Sequence, residues 1–400
     1  MTFSVRGAAA IAGVTDAASP TGDLPDRGRV LESRMIREAL DDAGLTIADV
    51  DGLCVADPGM GALGLAEHLG IQPQWVDSTM TGGSSYEVHV EHAAAAIATG
   101  QANVVVSVYA STPHSDRRRA KERAAAGKGG GGGGPRRPGG LYPGAAWEAP
   151  FGLRMPIGAY ALAASRHMHE FGTTAEQLAQ IAVDTRGWAT KNPNARFQDP
   201  ITIDDVLDSP YVCTPLHKLD CCLQTDGAGA FVMVRADRAK DLRKPPVYVL
   251  GTGSCVTHSI ISQMPDLTTT GTAVSGPKAM QMAGVSHSDV DLLMLYDSFT
   301  ITTMLLLEDL GFCAKGEGGA FVEDGKLGPG GSLPTNTNGG GLSYTHPGMY
   351  GMFLLVEAVR QLRGEAGDRQ IPKHDVAIAS GSGGVLSAMS TAVLGTEAAL

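Results

Sequence analysis

Aromatic residues are scarce in this chain of 400 residues: 3 Trp, 9 Tyr and 9 Phe, against 53 Gly. Ala, Val and Leu must therefore build most of any interior, and the glycines imply many tight turns. Cysteine is scarcer, with six residues and no C-x-x-C pair, which argues against zinc sites and thioredoxin-like chemistry. No apolar stretch reaches the roughly 18 residues that a membrane helix needs. The N-terminus also lacks a basic-then-apolar leader pattern. The expectation is a reduced, soluble, cytoplasmic protein with no membrane contact and no bound metal. Positive charge is short as well: 31 Lys and Arg against 42 Asp and Glu leave −11. That balance argues against a general nucleic-acid binder.

One stretch reverses the sign. Between Asp116 and Arg137, eight Lys or Arg residues face two acids. It reads either as a solvated loop or as a basic loop that meets an anionic ligand.

What is present is a repeat. Ala43-Gly44-Leu45-Thr46-Ile47-Ala48-Asp49-Val50-Asp51-Gly52-Leu53 has a later partner, Ala283-Gly284-Val285-Ser286-His287-Ser288-Asp289-Val290-Asp291-Leu292-Leu293. In both copies a helix ends at Ala-Gly, where Gly suits a left-handed position, and a short apolar strand follows. Leu31, Met35, Ala39 and Ala43, with Ile36 and Leu40, mark the first helix by their spacing. A second correspondence follows in the same order. Thr81-Gly82-Gly83-Ser84-Ser85 leads into a helix near Val88–Thr99 and a strand Val104–Tyr109. Asn338-Gly339-Gly340-Gly341 leads into a helix near Met352–Leu362 and a strand Val376–Ala379. Each half then runs strand, helix, strand, glycine turn, helix, strand. That alternation predicts two α/β halves, residues 1–240 and 241–400, with mostly parallel sheets.

An excursion at about residues 111–210 interrupts the first half. It holds six consecutive glycines, Gly129–Gly134, whose neighbour Lys128 lacks the spacing of a phosphate-binding loop. Thr173 and Glu176 are spaced as a capping box for a helix Ala175–Thr185. His167 and His169 lie two apart on a helix, on diverging faces, so they do not pair on a metal.

Several motifs carry a family resemblance. Asn336-Thr337-Asn338-Gly339-Gly340, with His346-Pro347 beyond, resembles the thiolase Asn-x-x-Gly-Gly…Gly-His-Pro signature. Leu295-Tyr296-Asp297-Ser298-Phe299 resembles the His-Asp-Cys-Phe motif of sterol-carrier-protein-type thiolases. The resemblance spans nearly the whole chain. It implies a thiolase fold of two duplicated halves in a five-layered α-β-α-β-α arrangement, a homodimer and an acyl-CoA substrate.

The departures are chemical. Where thiolases place the nucleophilic Cys, this chain has Met80, whose thioether cannot ionise to form an acyl thioester. No Cys occupies Ala379–Gly384, the segment of the second thiolase cysteine, and the motif His is Tyr296. Of that machinery His346 remains. Without a nucleophile, a carbon–carbon bond beside a β-hydroxyl can still break by retro-aldol chemistry, which needs a base, an acid and an oxyanion site.

The chain resembles the thiolase-like steroid side-chain aldolases of actinobacteria. That resemblance implies paired catalytic tyrosines, read here as Tyr296 and Tyr344 beside His346. It also implies a β-hydroxyacyl-CoA substrate cleaved to a steroid ketone and propionyl-CoA, and a companion protein with an OB-fold and zinc ribbon. Gly340, Ser84 and Arg117 are the candidate contacts for the CoA thioester, with no permanently bound cofactor. Ser84 and Ser85 otherwise read as caps of the following helix, and Cys221, Cys222 and Cys313 as structural residues. Two other readings stay open: a non-catalytic acyl-CoA-binding scaffold and an acyltransferase.

Overall fold

The computed structural model describes residues 5–57, 59–126 and 146–400. The run Gly129–Gly134 and all of the basic segment beyond Ala126 lie outside the described residues. The first half contains β1 (Ala9–Ala17), α1 (Gly28–Ala43), β2 (Gly52–Val55), α2 (Gly61–Leu69) and β3 (Trp75–Asp77). It continues with α3 (Ser85–Ala98), β4 (Val104–Ser111) and α4 (Pro113–Ala125). The excursion adds α5 (Ile157–Phe171), α6 (Ala175–Ala189), α7 (Ile203–Leu207) and the small pair β5 (Tyr211–Cys213) and β6 (Leu216–His217). Then come β7 (Gly227–Arg235), α8 (Ala236–Ala239), β8 (Val247–Val256), α9 (Thr272–Ala283) and β9 (Leu292–Leu295). The chain closes with α10 (Thr300–Asp309), α11 (Gly318–Val322), α12 (Gly351–Leu362), β10 (Val376–Gly383) and β11 (Ala388–Gly395).

The strands run β3-β2-β4-β7-β1-β8-β11-β10-β9. Read outward from the central β1–β8 contact, the two halves have the same order through four strands, as a duplicated unit requires, and β3 is an extra edge strand of the first half. The repeated residues do the same work twice. Gly44 and Gly284 end α1 and α9 in the left-handed region, at φ 75° and 68°. The Asp51 carboxylate accepts the Val104 N–H at 2.8 Å, and the Asp291 carboxylate accepts the Val376 N–H at 3.1 Å, so each clamps the start of the next strand. Gly13 on β1 and Gly251 on β8 let α1 and α9 pack closely, since a side chain at either would run into the Ala39 or Ala279 carbonyl. Helices α3 and α12 touch each other and strands of both halves, forming the middle layer, with α1 and α9 on the outer faces.

Three details differ from the sequence expectation. The sheet is mixed rather than mostly parallel: β2 pairs in parallel with β3 and β4, and β9 with β10, but β7 and β11 insert antiparallel. The capping box of α6 is Thr174 with Gln177, one residue later than predicted. Residues 113–125 are helix, so Arg117, Arg118 and Arg119 stand on a helix rather than a loop. His167 is buried between Thr173 and Glu308, while His169 is exposed, which separates the two as expected. Among the described residues no helix is long and apolar enough to cross a membrane.

Candidate active site

The turn after β3 begins the site. His89, buried on α3, reaches the Thr79 carbonyl with Nε2 at 3.1 Å and fixes the approach to Met80. The Ser85 hydroxyl accepts the Thr81 N–H at 2.9 Å and donates to the Gly82 carbonyl at 2.7 Å, while Ser84 bonds the Thr81 hydroxyl at 3.0 Å. Neither serine caps α3; both fold the glycine turn upon itself. Gly83 must be glycine, because a Cβ there would collide with the Tyr296 ring.

The second glycine turn is built around Asp297. Its carboxylate accepts the Gly341 N–H at 2.7 Å and the Leu342 N–H at 3.2 Å. Burial raises its pKa to about 7, against the pull of those N–H donors. Gly340, at φ 62°, brings the backbone onto the carboxylate, where any side chain would clash. The turn is a single π-helical turn, Gly340–Tyr344, a form common at functional sites. Beyond it the His346 N–H donates to the Thr225 hydroxyl at 2.9 Å, which ties the histidine to the strand-β7 side.

These supports bring Tyr296 and His346 together. The Tyr296 hydroxyl and His346 Nε2 are 3.0 Å apart, and the Tyr350 N–H donates to the same hydroxyl at 3.2 Å. Burial dominates both titrations. It holds the Tyr296 hydroxyl protonated well above its ordinary range and lowers the His346 pKa to about 4, so the imidazole is neutral. The pair faces a cavity of about 640 Å³ whose walls include Met80, Tyr160, Cys222, His258, Tyr296 and His346. Met80, in the thiolase nucleophile's place, is 38% exposed at this wall.

The other predicted residues do not line this cavity. The Tyr344 hydroxyl donates to Asp16 at 2.6 Å, and Asp16 is also paired with Arg360 at 2.6 Å. Tyr344 is therefore held in an ion-paired cluster and, unlike Tyr296, is not part of the cavity wall. Gly340 and Ser84 shape the two turns from behind rather than forming the wall. Arg117 donates to Gln224 on the surface, Arg118 pairs with Asp23, and Arg119 with Asp116.

The sequence reading missed Tyr160, His258 and a cavity role for Cys222. Tyr160 comes from α5, packs at a tilt against Phe299 with ring centroids 4.4 Å apart, and has its hydroxyl beside Ser298 and Ser382, with its pKa raised to about 12 by burial. The excursion has no counterpart in the second half, so the repeat could not point to it. Both ring nitrogens of His258 are occupied, by Thr257 and the Val385 carbonyl. Cys222 is a thiol raised by burial and by nearby Asp297, the reverse of an activated nucleophile. Among the described residues there is no group of three or more His, Cys, Asp or Glu placed to hold a metal.

Residues 253–396 match a family model described as thiolase C-terminal domain-like. A steroid side-chain-cleaving aldolase of Thermomonospora curvata is 36% identical over 388 residues, which covers 94% of this chain and 96% of the relative. A 17-hydroxy-3-oxo-4-pregnene-20-carboxyl-CoA lyase of Mycobacterium tuberculosis is 34% identical, covering 95% and 97%. Among solved structures, an Ltp2-ChsH2(DUF35) aldolase superposes with a TM-score of 0.87 at 34% identity, over 98% of this chain and 99% of that one. Human mitochondrial 3-ketoacyl-CoA thiolase superposes at 0.68 over 98% and 99% with 14% identity, a likeness of fold alone.

Proposed function

This chain belongs to the thiolase-like family of steroid side-chain-cleaving aldolases, and from that premise we propose that it cleaves a bulky β-hydroxyacyl-CoA by retro-aldol reaction. It is a carbon–carbon lyase. The products are a ketone, of the steroid class, and a short acyl-CoA such as propionyl-CoA. CoA enters as part of the substrate, and no permanent cofactor takes part.

The observation that carries the mechanism is the Tyr296–His346 contact in the cavity wall. The Tyr350 N–H occupies one lone pair of the Tyr296 oxygen, and the neutral imidazole, in the tautomer protonated on Nδ1, offers Nε2 as acceptor. As the substrate's β-hydroxyl loses its proton to the Tyr296 oxygen, the tyrosine's own proton passes to Nε2. The O–H electrons form the ketone C=O, and the Cα–Cβ electrons become the thioester enolate. The proton then returns through Tyr296 to Cα, so the enzyme ends as it began. A buried phenolate never has to stand alone, which its burial would oppose. Tyr160, protonated by virtue of the same burial, donates to the thioester oxygen as negative charge develops there.

Ordinary thiolase acyl transfer lacks its nucleophile, because Met80 cannot ionise and Cys222 is held as a thiol. A scaffold would have no use for the Tyr296–His346 contact. We also propose a homodimer formed through the free edge strand β3, where Val76 is exposed along with Met60 and Leu63 around α2. A DUF35 companion, of the OB-fold and zinc-ribbon kind, completes the working enzyme, which acts in the cytoplasm. The test is to incubate the purified chain with such a companion and a steroid β-hydroxyacyl-CoA. Ketone and propionyl-CoA should appear in equal amounts and depend on the Tyr296 hydroxyl. Conversion of a β-ketoacyl-CoA plus free CoA into two acyl-CoA products, with the β-hydroxyacyl-CoA left intact, would instead establish thiolysis.

A further inference from the structure

A second recess, of about 360 Å³, adjoins the reaction cavity and shares Met80, Gly348 and Met349 with it. Its lining mixes apolar side chains, Val55 on β2, Val108 on β4 and Pro347, with polar ones. Tyr86, from the first turn of α3, forms part of the same wall and is fully buried. Its hydroxyl has no hydrogen-bond partner among the described residues. Glu32 and Asp57 also line the recess, and the Glu32 carboxylate is already bonded to Arg29 at 2.7 Å.

These features select among the parts of an acyl-CoA. Among the described residues the lining carries no Lys or Arg to meet the phosphates of CoA, and Asp57 would repel them. The apolar part of the lining suits the large group on the β-carbon, which becomes the ketone. Met80 stands between the two spaces, and its unbranched thioether can swing without strain or reactivity. An unpaired buried hydroxyl is a costly feature, which a ligand oxygen would relieve.

We propose that the recess behind Met80 is the ketone subsite, which holds an apolar ring system whose distal oxygen accepts a hydrogen bond from Tyr86. The assignment rests on the lyase reading above, and it gives Met80 a role as doorway where thiolases keep their nucleophile. The subsite is tested without turnover or CoA, by calorimetric binding of androstenedione and of the same ring system lacking the distal keto oxygen. Tyr86→Phe should weaken androstenedione about tenfold, the loss of one hydrogen bond. The deoxygenated compound should bind both proteins alike. Met80→Trp, which fills the doorway, should abolish binding of both while the circular dichroism spectrum and melting temperature hold. Equal androstenedione affinity in wild type and Tyr86→Phe overturns the proposal. So does equal weakening of both compounds, or no binding to the wild type at all. Normal discrimination by a protein that cleaves no β-hydroxyacyl-CoA leaves the subsite in place and removes the lyase reading instead.

Discussion

Tyr296 and His346 come from different elements of the second half, 50 residues apart in sequence, yet their hydroxyl and Nε2 lie 3.0 Å from each other. Each glycine turn is needed for that meeting. Gly83 leaves room for the tyrosine ring, and the Gly340 turn, folded over Asp297, presents the histidine.

Removing the Tyr296 hydroxyl should stop the relay without disturbing the fold. Tyr296→Phe keeps the ring against Gly83, so the melting temperature should move little. The expected loss in kcat is roughly 10²–10⁴-fold, with KM nearly unchanged. Steady-state kinetics beside thermal unfolding read both quantities. Wild-type kcat in this variant would falsify the relay.

Tyr344 should behave in the opposite way. Its hydroxyl serves a buried carboxylate, so Tyr344→Phe should lower stability by about 1–3 kcal/mol. Turnover at a temperature where the variant is folded should stay near wild type. A large fall in kcat with unchanged stability would return Tyr344 to the chemistry.

The acid limb of activity should report His346. Burial lowers its pKa from 6.5 to about 4, so Nε2 stays free to accept a proton down to that region. The unfolded chain takes up this proton first, between about pH 6.5 and 4. Stability therefore falls as pH drops through that window. The kcat profile should be flat near neutrality and decline only toward pH 4. Asp297, raised to about 7, titrates nearby, so a limb centred near 6.5 that persists in Asp297→Asn would mean an ordinary, solvated imidazole outside the relay.

Glu87 supplies a slope of the other sign. It is fully buried on α3, neither carboxyl oxygen has a partner among the described residues, and burial raises its pKa from 4.5 to about 8. The unfolded chain gives up this proton near pH 4.5 and the folded chain only near 8. Stability should thus decrease as pH rises between those values. Glu87→Gln should flatten this part of the curve, measured by denaturant unfolding at several pH values. Identical slopes in both proteins would show that the carboxyl is solvated.

Cys222 lines the cavity but should be dispensable. Cys222→Ala should retain most of the activity, and intact-mass spectrometry during turnover should find no acyl adduct on the chain. A thioester on Cys222 would restore acyl transfer.

Duplication and the loss of thiolase chemistry are legible in the sequence alone, because both are local facts. A glycine after a helix and an aspartate before a strand act within a few residues, and they act identically in the two copies. A methionine cannot ionise in any fold, so the identity of residue 80 is enough to exclude an acyl-enzyme there. Strand direction is not legible in the same way, since β7 and β11 carry no local mark that they insert antiparallel.

The choice among hydroxyls likewise falls to tertiary packing. Tyr344 and Tyr296 look equivalent beside their motifs, but Tyr344 reaches Asp16 across 328 residues of sequence and is withdrawn from the cavity. Tyr160 arrives from the unrepeated excursion, with no motif to announce it. A side chain's protonation and hydrogen-bond partner depend on what packs around it from distant segments. Only the assembled halves decide that.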